Sequence, residues 1–464
     1  MKTTTDLRAK LVEAGQAHVW ERLERLAPAS RSRLEGQLAR IDFGLVRRLA
    51  GLLGAPPAAA PRSFEPPEVF PLRPGGAQTE DARRARAAGE ELLRSGRVGF
   101  VLVAGGQASR LGFEAPKGDY PIGPVTRRTL FAFHAQRLKA AARRHGVRTP
   151  WYVMTSPAND ADTRAIFARN EHYGLDPADV FFFAQDMLPA LDEQGRVLFA
   201  EADALFLAPN GHGGCLLGLA SSGALDDMRR RGLTQLSYFQ VDNPLVRPAD
   251  PLFLGLHVLA GAGMSSKVVQ KRGPGEKVGV LGRVDGVLSC IEYSDLPPEL
   301  RDAREPGGAL RFGAGNIAVH ALAVDFVARL TRGTLELPWH LARKSMRVVE
   351  ADGRTSERTG VKFETFVFDA LAHSVPSIAL EVERAEEFSP VKNKSGEDSP
   401  ASCRADLCRM FARWVRAAGL PLPAADAEGN HPVEVDPLCA ETQDEFLSRT
   451  GLRPDVRPTG HYYA

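Results

Sequence analysis

The chain has 464 residues and a mass of 50.3 kDa, with 44% hydrophobic residues, 25% charged residues and a formal charge of +2. That length accommodates two or three domains, and the near-balanced charge argues against nucleic acid or a membrane surface as partner. No apolar run approaches bilayer-spanning length, and the first residues, MKTTTDLRAKLVEAG, lack a signal-type apolar core, so the expected compartment is the cytoplasm.

Cys215, Cys290, Cys403, Cys408 and Cys439 are odd in number, scattered and without a CxxC pair, which fits free thiols. In chain order, residues 5–54 are expected to be helical, because Leu11, Val19, Leu23, Leu26 and Leu34 recur at helix-like spacings. Pro56, Pro57, Pro61, Pro66, Pro67, Pro71 and Pro74 then predict an extended wrap or linker. A charged helix from Glu80 to Leu93 leads into a strand at Val98–Ala104. Further strands are expected at Trp151–Thr155, Val180–Phe183, Gln235–Val241, Lys267–Gln270, Val278–Leu281 and Val287–Glu292. Helices are expected at Thr129–His145, Asn159–Glu171 and Ala224–Arg231, with the arginines 229–231 on a solvated face. This alternation predicts an α/β sheet with its ligand site at the strand carboxyl ends. The linear reading is a helical region over 1–95, a catalytic domain over 96–385 and a small C-terminal domain over 386–464 containing a helix at Ala401–Ala418.

The segment from Phe100 to Gly123, FVLVAGGQASRLGFEAPKGDYPIG, is the most informative. A buried strand ends in Gly105-Gly106, where the backbone can approach a ligand without Cβ obstruction. Arg110 and Lys117 follow with Glu114 as the one carboxylate between them, and Pro116 restrains the chain beside Lys117. Backbone N–H groups and two cations make a cradle for a polyanion. No Gly-Lys-Ser/Thr closes the loop as in a Walker A motif, and the glycine spacing is not GxGxxG.

The segment resembles the signature of the UDP-sugar pyrophosphorylase family, and within it the eukaryotic-type UDP-N-acetylhexosamine pyrophosphorylases, which carry Gly-Gly-x-x-x-Arg-Leu-Gly followed by Pro-Lys-Gly. The resemblance covers roughly residues 98–440. It continues in order through WYVMTS, MLPAL, a glycine turn at 211–214, VDN, RVDGV, EYS, AGNIA, FVFD and EFSPVKN. It implies a Rossmann-like nucleotide-diphospho-sugar transferase fold with a mixed, mostly parallel sheet. The implied reaction joins UTP to a sugar 1-phosphate, with Mg²⁺ as cofactor and Mn²⁺ as an alternative, in a monomer or weak homo-oligomer. In-line phosphoryl chemistry needs positioning and charge neutralisation, not a protein nucleophile.

By that resemblance Arg110, Lys117 and Lys392 carry catalysis. Gly105, Gly106, Gln185, Gly211 and Lys362 join Lys117 in holding nucleotide and phosphates, with Gln185 on the uracil edge and Lys362 toward the sugar phosphate. Asp242, at a strand end before Asn243-Pro244, is the metal carboxylate, since Mg²⁺ takes few protein oxygens beside phosphate ligands. Gly279, Glu292, Tyr293 and Asn316 are the sugar-side candidates, Tyr293 also being expected in the core. Considered alone, the lysines would be solvated and Asp242 a turn opener.

The turn Asn210-Gly211-His212-Gly213-Gly214 departs from the family pattern. Acetylhexosamine enzymes usually have Asp-Gly-Asn-Gly-Gly, whereas glucose-type relatives place His between glycines followed by Gly-Asp. His212 is expected to bond a sugar hydroxyl and to change charge between pH 5 and 8. N-acetylglucosamine 1-phosphate is the leading substrate. Glucose 1-phosphate or several sugars are the alternative, and a catalytically silent binding protein on the same fold is the reading from another class.

Overall fold

Four strands, Val98–Val103, Trp151–Thr155, Val180–Ala184 and Gln235–Gln240, pair side by side in parallel in the computed structural model, which describes residues 2–54, 63–332 and 337–464. Parallel neighbours need crossovers. The helix Leu130–His145 supplies one and Asp160–Arg169 another. The first two strands are buried almost throughout, so their sequences are continuous apolar runs without alternation. Each expected strand is present within a few residues; the one expected at Val278–Leu281 runs from Val280 to Val284.

Among the described residues the sheet has ten strands. Its main order is Phe64–Glu65, Val280–Val284, Ala314–Ala323, Gln235–Gln240, Val98–Val103, Trp151–Thr155 and Val180–Ala184. Met264–Gln270 lies antiparallel to Ala314–Ala323 and parallel to Ala379–Glu381. The mixed sheet with a parallel centre is therefore present. Of the proline-rich stretch, Pro56, Pro57 and Pro61 fall outside the described residues. Beyond them the chain is extended, with Phe64–Glu65 pairing Arg283–Val284 and Phe70 bridging Leu380.

Contacts divide the chain into two units that are not successive segments. The smaller comprises Met1–Ala60, Gln185–Gly214 and Glu336–Val367; the larger comprises Pro61–Ala184, Cys215–Leu335 and Phe368–Ala464. In the smaller unit four helices, Lys2–Glu13, Ala17–Arg25, Pro28–Leu38 and Phe43–Leu53, turn Leu11, Val19, Leu23, Leu34 and Leu49 inward. These meet Leu191, Phe199, Val361 and Phe363 in one core. Val361 and Phe363 belong to a hairpin, His340–Val349 with Thr355–Glu364. Alternation is confined to short stretches, Met346 and Val348 in one strand and Val361 and Phe363 in the other, so the period-2 signal is weak.

In the larger unit the C-terminal helix Pro400–Ala417 begins with a capping box at Ser399 and Ser402. Its Met410, Phe411 and Trp414 enter the same core as Phe100, Leu102 and Trp151. The three-stranded sheet of Val433–Val435, Gly460–Tyr463 and Asp455–Arg457 closes the chain.

Candidate active site

In the larger unit, register decides which residues meet. Val103 lies opposite Gln240, so the strands Val98–Val103 and Gln235–Gln240 end side by side. Gly105-Gly106 and Asp242 therefore leave the sheet at one edge, the carboxyl edge where open α/β sheets bind ligands. A buried asparagine shapes the loop. Asn159 donates from Nδ2 to the carbonyls of Ala104 (2.9 Å) and Gly106 (3.3 Å), and its Oδ1 accepts from the Ser156 N–H. The Gly106 carbonyl also accepts from the Lys117 N–H at 3.2 Å, closing the loop on itself. A Cβ on Gly118 would lie 2.2 Å from the Phe131 ring, which accounts for glycine after Lys117.

Lys117 has a carboxylate partner that sequence proximity does not reveal. Its Nζ lies 3.3 Å from Asp242 Oδ2. Burial would raise the Asp242 carboxyl, but Lys117 and then Lys392 outweigh it and hold it below its ordinary value. Asp242 is thus an anion whose charge both lysines favour. Arg110 sits on the exposed short helix Ser109–Leu111 and makes no ion pair among the described residues. Lys392 is likewise exposed, its ammonium 5.7 Å from the Phe388 ring centroid.

The Val241–Pro244 corner is held from behind by the helix Leu130–His145. His134 Nε2 bonds the Val241 carbonyl at 3.1 Å, and Arg137 donates twice to the Pro244 carbonyl. In front, the Asp242 carbonyl accepts from the Val391 N–H at 2.9 Å, joining VDN to EFSPVKN. Asn159 and Asn243 hold these loops, and neither role is signalled in the sequence. A buried side chain bonding distant backbone leaves no local pattern beyond the asparagine itself.

Three of the four sugar-side candidates of this unit lie close to one another. Gly279, Glu292 and Asn316 come together: the Gly279 carbonyl accepts from the Asn316 N–H at 2.8 Å, and a Cβ at Gly279 would lie 3.6 Å from Glu292 Oε1. The Asn316 amide also lies 3.5 Å from the Cys290 thiol. Tyr293 does not join the core. It follows the strand Val287–Ile291 on an exposed turn and is 42% exposed, because the strand ends two residues before it.

The smaller unit holds the remaining candidates. Gln185 is buried, and its side-chain amide has no hydrogen-bond partner among the described residues. The glycine turn is pinned to the chain after the hairpin: Gly213 N–H donates to the Thr365 carbonyl at 2.9 Å, and Thr365 N–H to Asn210 at 2.7 Å. Gly211 takes φ +81°, and its Cβ would meet the Thr365 carbonyl at 2.3 Å. A Cβ on Gly214 would lie 1.7 Å from the Asn210 side-chain oxygen, so an aspartate there, as in glucose-type turns, requires Asn210 to move. Lys362, on the hairpin, lies 5.5 Å over the Phe206 ring.

His212 departs from expectation. The Val367 N–H donates to its Nδ1 at 3.1 Å, which leaves the proton of the neutral ring on Nε2. The ring stacks on Phe366 at 5.1 Å. Burial, reinforced by His340, pulls the imidazole down to about 4. The expected change of charge between pH 5 and 8 is therefore displaced to acid: the ring is neutral across that range.

No group of three or more His, Cys, Asp or Glu among the described residues is arranged to hold a metal ion. The single anionic oxygen pair of Asp242 fits a Mg²⁺ that takes its other ligands from phosphates and water, and does not fit an all-protein site. No helix among the described residues is long and apolar enough to cross a membrane.

Comparison with known proteins gives a consistent result. The family described as UTP–glucose-1-phosphate uridylyltransferase matches residues 76–408. The UDP-N-acetylhexosamine pyrophosphorylase-like protein 1 of Homo sapiens is 38% identical, over 94% of this chain and 93% of its own. UDP-N-acetylglucosamine diphosphorylase 1 of Arabidopsis thaliana is 34% identical, over 93% and 88%. The solved structure of the uridine diphosphate N-acetylglucosamine pyrophosphorylase from Trypanosoma brucei superposes with a TM-score of 0.80 at 26% identity, covering 95% of this chain and 93% of that one.

Proposed function

The chain belongs to the UTP–glucose-1-phosphate uridylyltransferase family, and on that premise we propose that it joins UTP to N-acetylglucosamine 1-phosphate, forming UDP-N-acetylglucosamine and pyrophosphate. It is a nucleotidyltransferase. The observation that carries the site reading is the Lys117–Asp242 ion pair at the carboxyl edge of the parallel strands, with Val391, the neighbour of Lys392, bonded to the Asp242 carbonyl. An oxygen of the sugar phosphate attacks the α-phosphorus of UTP. The bond from that phosphorus to the bridging oxygen breaks, and pyrophosphate leaves with the electron pair. No proton need move through a protein base; the work lies in alignment and charge neutralisation. Arg110 and Lys117 meet the triphosphate and the departing pyrophosphate, and Lys392 meets the charge that develops at the α-phosphate.

Asp242 would hold the Mg²⁺ through one carboxylate, and the ion, when bound, supplies further charge neutralisation on the phosphates. The unpartnered Gln185 amide suits the uracil edge, which offers both donors and acceptors. Lys362 is assigned to the sugar phosphate. Gly279, Glu292 and Asn316 are assigned to the sugar by the family resemblance; so, separately, is His212, while Gly211 is assigned to the nucleotide. The acetylated sugar is supported by the names of the relatives and by the close fit of Gly214 against Asn210. Glucose 1-phosphate is the second reading, favoured by His212 in place of an amide. The proposed compartment is the cytoplasm.

The test supplies purified protein with UTP, Mg²⁺ and a panel of sugar 1-phosphates, and measures pyrophosphate release for each. The expected result is release only with a sugar phosphate, fastest with N-acetylglucosamine 1-phosphate. Preference for glucose 1-phosphate would select the second reading. Absence of both turnover and UTP binding would favour the silent binding protein.

A further inference from the structure

Asn243 is buried, 4% exposed, at the corner that follows the strand Gln235–Gln240. Its side chain serves three backbone groups. Nδ2 donates to the Glu387 carbonyl at 2.7 Å, while Oδ1 accepts from the Ser389 N–H at 3.1 Å and the Leu245 N–H at 3.3 Å. The preceding residue adds a fourth contact, since the Asp242 carbonyl accepts from the Val391 N–H. Glu387, Ser389 and Val391 are thus gripped alternately, and the next residue in the chain is Lys392.

The far side of the same segment is also anchored. The Lys267 ammonium, fully buried, lies 2.6 Å from Glu387 Oε2 and 2.7 Å from Asp250 Oδ2. The Ser389 hydroxyl donates to Asp406, and the Cys403 thiol to the Ser389 carbonyl. Pro390 has no N–H, so the segment has one backbone donor fewer with which to hold itself. A primary amide is a short side chain with donor and acceptor on one rigid plane, and this corner uses both. Aspartate would lose the donor, and alanine would lose everything.

We propose that Asn243 is a positioning residue of the transfer reaction: its amide clamps the backbone of residues 387–391 to the strand end that bears Asp242, and so fixes Lys392 at the phosphates. The proposal rests on the reading of Lys392 given above. Asn243 touches no substrate; it sets the distance between one catalytic cation and the carboxylate beside it. A small error in such a distance is costly, because charge stabilisation depends on alignment prepared before the reaction.

Asn243→Ala and Asn243→Asp test this with kinetics and with backbone amide exchange followed by mass spectrometry. In Asn243→Ala, kcat is expected to fall at least about tenfold, with KM for UTP changed by less than about threefold. Exchange should quicken in the peptide spanning 386–393 and stay unchanged in the helix Pro400–Ala417. Asn243→Asp keeps an acceptor for Ser389 and should exchange more slowly there than the alanine variant, yet remain slow in turnover. A kcat within about twofold of the parent in both variants overturns the proposal. So does a loss of rate accompanied by faster exchange throughout the helix, which would mark general loosening. Lys392→Ala is the control: a normal rate there overturns the reading of Lys392 itself. A slow Lys392→Ala beside a normal Asn243→Ala overturns only the positioning role.

Discussion

Lys117 and Asp242 stand 125 residues apart in the chain and 3.3 Å apart in the fold. Each is the other's counter-ion, and each is also a candidate partner for substrate or metal. In the proposed complex, a triphosphate with Mg²⁺ would exchange one opposite-charge contact for two: phosphate on Lys117 and metal on Asp242. Their mutual pairing favours the Asp242 carboxylate and leaves neither charge bare in a mostly buried setting, where an isolated charge is expensive.

Removing the carboxylate charge should therefore hurt catalysis more than folding. Asp242→Asn is expected to lower kcat/KM by at least about a hundredfold and to raise the Mg²⁺ concentration needed for half-maximal rate. The check is a Mg²⁺ titration of initial rate in parent and variant. An unshifted metal dependence would remove Asp242 from the metal site.

Arg110 and Lys392 are exposed, so their truncation should leave stability nearly unchanged. Arg110→Ala and Lys392→Ala are each expected to lower kcat/KM on the order of a hundredfold, or about 3 kcal/mol of transition-state stabilisation. Steady-state rates paired with a urea melt decide it. A near-normal rate would strike that residue from the catalytic list; a collapsed melt would show a structural role instead.

The neutral His212 changes what its substitution should reveal. With the imidazole held near 4, KM for the sugar phosphate is expected to be flat between pH 6 and 8. His212→Asn can keep an acceptor for the Val367 N–H, so the turn should survive. Its expected effect is a shift of the sugar ratio toward N-acetylglucosamine 1-phosphate over glucose 1-phosphate, by roughly 1–3 kcal/mol. Measuring kcat/KM for both sugars in both proteins is the test. An unchanged ratio would mean that His212 is a turn residue alone, and specificity would then be sought around Gly279, Glu292 and Asn316.

Acid should destabilise the larger unit through buried imidazoles. His134 bonds the Val241 carbonyl, His257 lies between Ser265 and Gln235, and burial pulls both rings from 6.5 to about 4. Their contribution is complete above about pH 6.5. It is lost as pH falls toward 4, because the unfolded chain takes up protons that the folded chain refuses. At pH 5 the loss is about 2 kcal/mol for each ring. Glu441 works in the opposite direction, since burial raises its carboxyl. Urea midpoints at pH 7.5, 6 and 5 should fall in the parent and fall less in His257→Gln, which keeps a donor and an acceptor. Parallel pH curves for the two proteins would refute the role of His257.

How much was legible in the sequence follows from how local each signal is. The strands Val98–Val103 and Trp151–Thr155 are buried on both faces, so their apolar runs are continuous and easily read. The proposed cradle is also a local signal, because Gly105, Gly106, Arg110 and Lys117 lie within 13 residues of one another. The hairpin His340–Glu364 was missed, since few of its residues are buried and charges fill the rest. Tyr293 was misplaced because a strand end and a core position look alike in a short apolar run.

By itself, the sequence determined the α/β class and the family, and it carries the motif on which the proposed phosphate chemistry rests. Each of these depends on residues that are close in the chain or on motifs kept in a fixed order. Only the tertiary structure decided that Lys117 pairs with Asp242, that Asn159 and Asn243 hold the site's loops, and that His212 stays neutral. Those facts depend on strand register and on burial. Register brings together residues more than a hundred positions apart, and burial sets the cost of a charge through surroundings that no local pattern records.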